Sequence, residues 1–149
     1  MTMTRPTPFF EDVAVGADIP VLVKTPTSVQ IFRYSAVTWN SHRVHFETEY
    51  ARAEGHPDVL VQAHLHGAFL AQMLMDWIGP HGRIVSYGWA NRGRAVPGDR
   101  LTCQGTVVGK KSAAERGLVE VEIKEVNQSG TTCAVGTAVV ALPVRDRRQ

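Results

Sequence analysis

The 149-residue chain has few of the residues that mark a specialised class of protein. It has only two cysteines, Cys103 and Cys133, and each lies within a strand-like run. A disulfide framework is therefore not expected to hold the fold together, and a reducing cytoplasm fits best. The longest apolar segment, residues 63–78, is interrupted by two histidines, Gln72 and Asp76. The sequence thus predicts no membrane span and, at its polar N-terminus, no export signal.

An excess of charge of one sign is also missing. Sixteen lysines and arginines stand against fourteen acidic residues, which leaves a net charge of +2. The basic residues are dispersed, and no cluster is large enough to follow a phosphate backbone. Arg145, Arg147 and Arg148 are the exception, and we interpret them as a solvated tail. No nucleic-acid partner is expected.

What is present fits a packed globular protein, with 44% hydrophobic and 20% charged residues. The chain has no low-complexity tract, no internal repeat and no shift in composition. One domain spanning residues 1–149 is therefore predicted. Its ends, residues 1–8 and 144–149, are expected to be flexible tails.

The spacing of apolar residues predicts a strand and several helices, followed by four strands. The first strand is predicted at Ile19–Lys24, with helices at Val29–Val37 and Glu47–Ala53. Residues 63–78 leave almost no polar face, and a helix that is apolar all round is expected to be buried. The four β-rich runs that follow are Arg83–Arg94, Arg100–Lys111, Gly117–Val126 and Thr131–Leu142.

These four runs are joined by segments with clear turn signals, Pro97-Gly98-Asp99 and Asn127-Gln128-Ser129-Gly130. Turns this short exclude parallel crossovers, so the sheet is predicted to be antiparallel. Its concave face is expected to wrap around the buried helix, which is the α+β architecture called the hot-dog fold. A single layer of this kind leaves a sheet edge and one helix flank uncovered, so a dimer with paired sheets is expected.

The segment Tyr34–Ala51, with the sequence YSAVTWNSHRVHFETEYA, resembles the signature of the MaoC-like, or R-specific, enoyl-CoA hydratases and dehydratases. The resemblance extends to Phe10–Gly16 upstream and to Val96–Leu101 downstream, and so covers most of the chain. Asp58–Gln62 and Asp76–Pro80 look closest to actinobacterial members that act on bulky acyl-CoA or steroid side-chain CoA esters. The resemblance implies the hot-dog fold and a lyase of fatty acid, lipid or steroid metabolism that adds or removes water at a 2-enoyl thioester.

Adding water to such a thioester requires a base for the water, an acid for the α-carbon and donors for the enolate-like oxygen. His45 is the candidate base, because its ordinary pKa lies near the working pH. The family pattern has an acid five residues earlier, where this chain has Asn40, and an amide can hold a water molecule but cannot take its proton. Some relatives of the mesaconyl-CoA hydratase type have a similar Asn-x-His-Arg-x-His segment. Proton transfer is then assigned to His45, with His42, Glu47 or Glu49 as candidate helpers.

The oxyanion donors are expected at the start of the buried helix, where backbone N–H groups lack intrahelical partners and face the positive end of the dipole. The family usually has a glycine there, and this chain has Gln62-Ala63-His64. Ala63 still supplies an N–H, although its Cβ limits how closely a thioester approaches. His64 is a candidate side-chain donor.

Substrate contacts are also predicted for His42 and Arg43, and the guanidinium groups of Arg43, Arg92 and Arg94 are candidates for the phosphates of coenzyme A. No cofactor is expected, because coenzyme A is part of the substrate. A metal is not expected either, because side chains two residues apart on a helix, such as His64 and the second following residue His66, point in different directions.

Two other classes of function stay open at this point. One is a hot-dog acyl-CoA thioesterase, which shares the helix-dipole oxyanion site but attacks the carbonyl with water activated by a carboxylate. The other is a non-catalytic subunit that completes a heteromer with an active paralogous hot-dog chain, which Asn40 and the missing helix glycine favour. The partner is therefore an identical or a related chain, and the acyl group is not fixed.

Overall fold

The structure is a computed structural model that describes residues 7–113 and 115–145. The α-helices are α1 (Ser28–Thr38), α2 (Thr48–Ala53) and α3 (Ala63–Ile78). The strands are β1 (Leu22–Lys24), β2 (Arg83–Asn91), β3 (Leu101–Ala113), β4 (Arg116–Val126) and β5 (Thr132–Pro143). Short 3-10 turns lie at Phe10–Asp12 and Arg43–His45.

The strands form one antiparallel sheet in the order β1-β3-β4-β5-β2. The turn between β4 and β5 is closed by Asn127, whose side-chain oxygen accepts the backbone N–H groups of Ser129 and Thr131. The predicted α+β hot-dog architecture is confirmed. The strand order differs in one respect from the prediction of four consecutive strands joined by short turns. Strand β2 pairs with β5 at the edge of the sheet and not with β3, so residues 92–100 connect two strands that are not neighbours.

The helix α3 has the predicted bounds and packs against the sheet through the side chains of Leu65, Phe69, Leu70, Met73 and Leu74, all buried. The expectation that it is buried on every side is wrong. His64, Ala68, Gln72, Met75 and Asp76 form one exposed stripe, with Met75 61% exposed. The physical reason is that the sheet curls around one side of the helix only.

The helix α1 is capped at its start by Thr27, whose Oγ1 accepts the backbone N–H of Gln30 at 3.1 Å. It ends at Trp39, which adopts the left-handed conformation with φ 55°. The backbone N–H groups of Trp39 and Asn40 both donate to the Ser35 carbonyl, which closes the last turn. A non-glycine residue is uncommon in this conformation. The end of α1 thus places Asn40 near the start of the loop between α1 and α2, residues 39–47, which we call the signature loop.

Strand β1 is shorter than predicted, because residues 19–21 run beside β3 without forming a continuous ladder. The backbone N–H of Ile19 donates to Gly105, and Asp18 forms an isolated bridge with Thr106. The predicted tails lie largely outside the described residues. Two described residues of these tails contact the rest of the chain. Thr7 Oγ1 accepts the backbone N–H of His81, and Arg145 forms an ion pair with Asp12 at 2.8 Å.

Both cysteines are buried and free. Burial raises the pKa of the Cys103 thiol, and it raises the pKa of the Cys133 thiol to about 11. Thiols in this state are poor nucleophiles. Within residues 7–113 and 115–145, none of the helices has both the length and the apolar character needed to cross a membrane.

Candidate active site

His45 ends the 3-10 turn that follows α1, and its ring is half-buried. Its Nδ1 lies 2.8 Å from the carbonyl oxygen of Leu60. A carbonyl only accepts, so this contact fixes the neutral ring with the proton on Nδ1 and leaves Nε2 as the acceptor. The pKa of His45 is lowered, first by burial and also by the charge of His42, against the opposing effect of the Leu60 hydrogen bond. The ring is therefore held as a neutral base.

Asn40 lies between the end of α1 and this turn. Its Oδ1 accepts the backbone N–H of His42 at 3.1 Å, so the amide shapes the loop that carries the histidines. The His42 ring stands edge-on to the His45 ring, with centroids 5.7 Å apart, and edge-on to Tyr50 at 6.1 Å. The structure thus brings Asn40, His42 and His45 together in one loop.

Arg43 points to a different set of partners. Its guanidinium donates to both carboxylate oxygens of Glu47, at 2.8 and 2.5 Å, and lies 4.6 Å from the centre of the Tyr50 ring. Arg43 also lowers the pKa of Glu47. This pairing weakens two predictions. The Arg43 guanidinium is occupied by Glu47, which weakens its predicted role in binding a phosphate of coenzyme A. The Glu47 carboxylate is held in an ion pair, which weakens its predicted role as a helper base.

The first turn of α3 carries the N–H groups that were predicted as oxyanion donors. The N–H groups of Leu65 and His66 donate to the Gln62 carbonyl, at 3.0 and 3.2 Å. Within the described part of the chain, the N–H groups of Ala63 and His64 have no partner. They lie at the positive end of a 16-residue helix, where a negative oxygen is stabilised.

The candidate base and these donors are joined by the chain itself. The Leu60 carbonyl that holds His45 lies three residues before Ala63, and the Leu60 N–H donates to the carbonyl of Val44 at 3.0 Å. Both backbone polar groups of Leu60 therefore hydrogen-bond to the turn that carries His45, the carbonyl to His45 and the N–H to Val44. The arrangement presents a neutral imidazole beside a helix N-terminus, which is what hydration of a conjugated thioester requires.

Gln62, the residue before α3, ties the helix to α1. Its side chain is buried, and its Nε2 donates to the Ile31 carbonyl at 2.7 Å and to Ser35 Oγ at 2.8 Å. Its side chain makes no capping hydrogen bond to α3. The start of α3 is thus positioned by contacts with α1 while its first N–H groups stay free for a ligand.

Strand β2 supports the first turn of α3 from the other side. Trp89 Nε1 donates to the Ala63 carbonyl at 3.3 Å, and the Tyr87 hydroxyl donates to the Gly67 carbonyl at 2.5 Å. A Cβ on Gly67 would lie 2.4 Å from the Trp89 ring, so only glycine fits there. The His64 ring stands edge-on to Trp89 at 5.8 Å and is exposed. It remains available as a donor.

A buried polar pair lies beneath this turn. His66 Nδ1 is hydrogen-bonded to Glu125 Oε1 on β4, with both side chains excluded from solvent, and Cys103 Sγ lies 3.6 Å from Glu125 Oε2. His64 and His66 point in opposite directions, as predicted. The sequence offered no signal for the pairing of His66 with Glu125, because 59 residues separate them.

The remaining basic candidates lie on the segment after β2. Arg94 Nη1 donates to His56 Nδ1 at 3.1 Å, and Arg92 Nη1 lies 3.4 Å from the Asn91 carbonyl. Both side chains are exposed. Among residues 7–113 and 115–145, no cluster of three or more histidine, cysteine or acidic side chains has the geometry of a metal site.

Comparison with known proteins supports the resemblance in sequence. Residues 17–88 match the family model described as hydroxyacyl-thioester dehydratase type 2. A stretch of 66 residues, 44% of the chain, is 36% identical to the mesaconyl-C(4)-CoA hydratase of Chloroflexus aurantiacus. This stretch spans only 22% of that relative.

Two solved structures share the fold. The R-hydratase PhaJ1 from Pseudomonas aeruginosa has a TM-score of 0.81 at 19% identity, over 91% of this chain and 86% of that chain. A chain of the ChsH1-ChsH2 complex from Mycobacterium tuberculosis has a TM-score of 0.77 at 23% identity, over 87% of this chain and 98% of that chain. At these identities the matches show the fold. The roles of His45, Asn40, Ala63 and His64 stay predictions.

Proposed function

The chain is a hot-dog-fold protein that resembles the MaoC-like hydratases and dehydratases, and we propose that it adds water to a 2-enoyl-CoA ester or removes it from a (3R)-hydroxyacyl-CoA ester. The observation that carries this proposal is the hydrogen bond from His45 to the Leu60 carbonyl. It ties a neutral imidazole to Leu60, which lies three residues before Ala63 and the free N–H groups of the α3 N-terminus.

The reaction follows from this geometry. His45 Nε2 takes a proton from water as oxygen forms a bond to the β-carbon, and the C=C electron pair moves toward the thioester. The enolate-like oxygen that develops is held by the N–H groups of Ala63 and His64. The imidazolium then returns its proton to the α-carbon, so the net change is addition of one water molecule. The Asn40 amide orients that water but exchanges no proton with it.

These steps use a base, an acid and hydrogen-bond donors, so we propose that the enzyme needs neither a metal nor a redox cofactor. Coenzyme A enters and leaves as part of the substrate. Of the basic candidates for its phosphates, we retain Arg92 and Arg94, whose side chains are exposed, because Arg43 is paired with Glu47. The two free, buried thiols fit a reducing cytoplasm.

We further propose that the chain works as a dimer with an identical or a paralogous hot-dog chain. Strand β2 lies at one edge of the sheet, and α3 keeps an exposed stripe that includes Met75. Sheet edges of this kind are commonly covered by a partner, and Met75 adds one exposed apolar side chain to the surface of α3. The similarity to a chain of the ChsH1-ChsH2 complex supports a partner of related fold.

The test is an absorbance assay at the enoyl thioester band with butenoyl, longer enoyl and steroid-type CoA esters, combined with a free-thiol assay. Loss of enoyl absorbance without thiol release is the expected result. Release of free thiol in an amount equal to the ester consumed would replace the hydratase with a thioesterase.

A non-catalytic subunit is the second candidate, favoured by Asn40 in place of an acid and by Ala63 in place of a glycine. Its test is to purify the chain alone and together with a paralogous hot-dog chain. Activity that appears only in the mixture, and that survives loss of His45, would assign catalysis to the partner.

A further inference from the structure

A groove of about 200 Å³ opens at the end of α1, beside the candidate active site. Its apolar walls are the side chains of Phe32, Ala36, Trp39 and Phe46, and the polar residues Ser35, Asn40 and Ser41 also line it. Phe32 and Phe46 meet edge-on with ring centroids 6.4 Å apart. Within the described part of the chain, no charged side chain lines this groove.

Three features place the groove next to the candidate active site. Asn40 lines it, and Phe46 directly follows His45 in the chain. Ser35 Oγ accepts the hydrogen bond from Gln62, the residue that precedes the free N–H groups of α3. The groove therefore borders the loop that carries the candidate base and the hydrogen bond that positions the start of α3.

The aromatic walls are open to solvent in the chain by itself. Phe32 is 57% exposed and Trp39 is 91% exposed. Trp39 is also the residue held in the left-handed conformation, with φ 55°. Backbone strain of this kind clusters at ligand sites, and clustered apolar exposure marks binding surfaces.

We propose that this groove, which we call the acyl groove, holds the acyl chain of the substrate and selects an uncharged chain of short to medium length. The inference rests on the proposed hydratase function and names its substrate class. A lining without a charged side chain disfavours an acyl chain that ends in a carboxylate. The volume is below the roughly 300–1,000 Å³ of sites for drug-sized ligands, which disfavours a fused-ring steroid.

The test measures kcat/KM for butenoyl-CoA, octenoyl-CoA and an enoyl-CoA ester ending in a carboxylate. In the wild type, kcat/KM is expected to rise about fourfold for each added methylene until the groove is full. Ala36→Phe fills the groove from an exposed helix position and is expected to lower the octenoyl-to-butenoyl ratio about tenfold or more, the loss of roughly two buried methylenes. The matched control is Val37→Phe, on the same helix and 85% exposed but outside the groove, and it should leave the ratio unchanged.

Binding of the saturated esters, butanoyl-CoA and octanoyl-CoA, is measured by calorimetry with the same variants. A chain-length effect on binding that Ala36→Phe abolishes supports the acyl groove even if no ester is hydrated, in which case only the proposed reaction is wrong. A ratio that Ala36→Phe leaves unchanged, in turnover and in binding, overturns the acyl groove. If that variant alters the oligomeric state instead, the groove is a protein interface, which also overturns it.

Discussion

The N–H of Ala63 is the donor whose removal tests the oxyanion site most cleanly. Ala63 is the first residue of α3, and proline is well tolerated at this position because the N–H there has no intrahelical partner. The preceding residue, Gln62, has φ −65° and ψ 144°, which is the conformation that a following proline favours. Ala63→Pro therefore deletes one N–H while leaving the helix and the carbonyl that Trp89 contacts.

The expected effect is a fall in kcat of about 10²- to 10³-fold, the usual cost of losing one oxyanion donor. The hydration assay is run beside Ala63→Gly, which keeps the N–H and removes the Cβ, and which should retain or raise kcat. Thermal unfolding checks that both variants fold. A folded Ala63→Pro variant with the kcat of the wild type would refute the idea that α3 polarises the thioester.

Two further predictions concern the signature loop. His42 lowers the pKa of His45, so His42→Ala should raise the pKa of His45 and move the acid limb of the kcat/KM pH profile to higher pH. An acid limb that does not move would show that His42 has no effect on the pKa of the base. Asn40→Asp should keep or raise the hydration rate, because a carboxylate oxygen can still accept the His42 N–H and restores the acid of the family pattern. A collapse of turnover would mean that the amide does something an acid cannot do.

The parts of the fold that local chemistry specifies were predictable from the sequence. The bounds of α3 follow from its apolar run and the Gly79-Pro80 stop, and the β4–β5 hairpin follows from its Asn-Gln-Ser-Gly turn. The place of β2 at the far edge was not predictable in this way, because strand order depends on contacts between distant segments.

The same division applies to the candidate site. The spacing of Asn40 and His45 carries the resemblance, and their shared loop is seen in the structure. The pairing of Arg43 with Glu47 has an i, i+4 signal that sequence reasoning missed. The acyl groove had a weaker signal in the sequence, the apolar residues Phe32 and Ala36 four positions apart on α1. Its place beside the candidate site depends on the buried hydrogen bond from Gln62 to Ser35, which the sequence does not show.

The role of His45 as the base is tested by comparing kcat/KM for enoyl-CoA hydration between the wild type and His45→Ala, with His81→Ala as the control at an exposed histidine. A loss of at least ~10²-fold is expected in His45→Ala, with the fold retained. A base role for His45 also requires a wild-type acid limb centred below about 6.5, the ordinary histidine pKa, because burial lowers the pKa of His45 and only the neutral ring accepts a proton. Hydration by His45→Ala at the wild-type rate would contradict it.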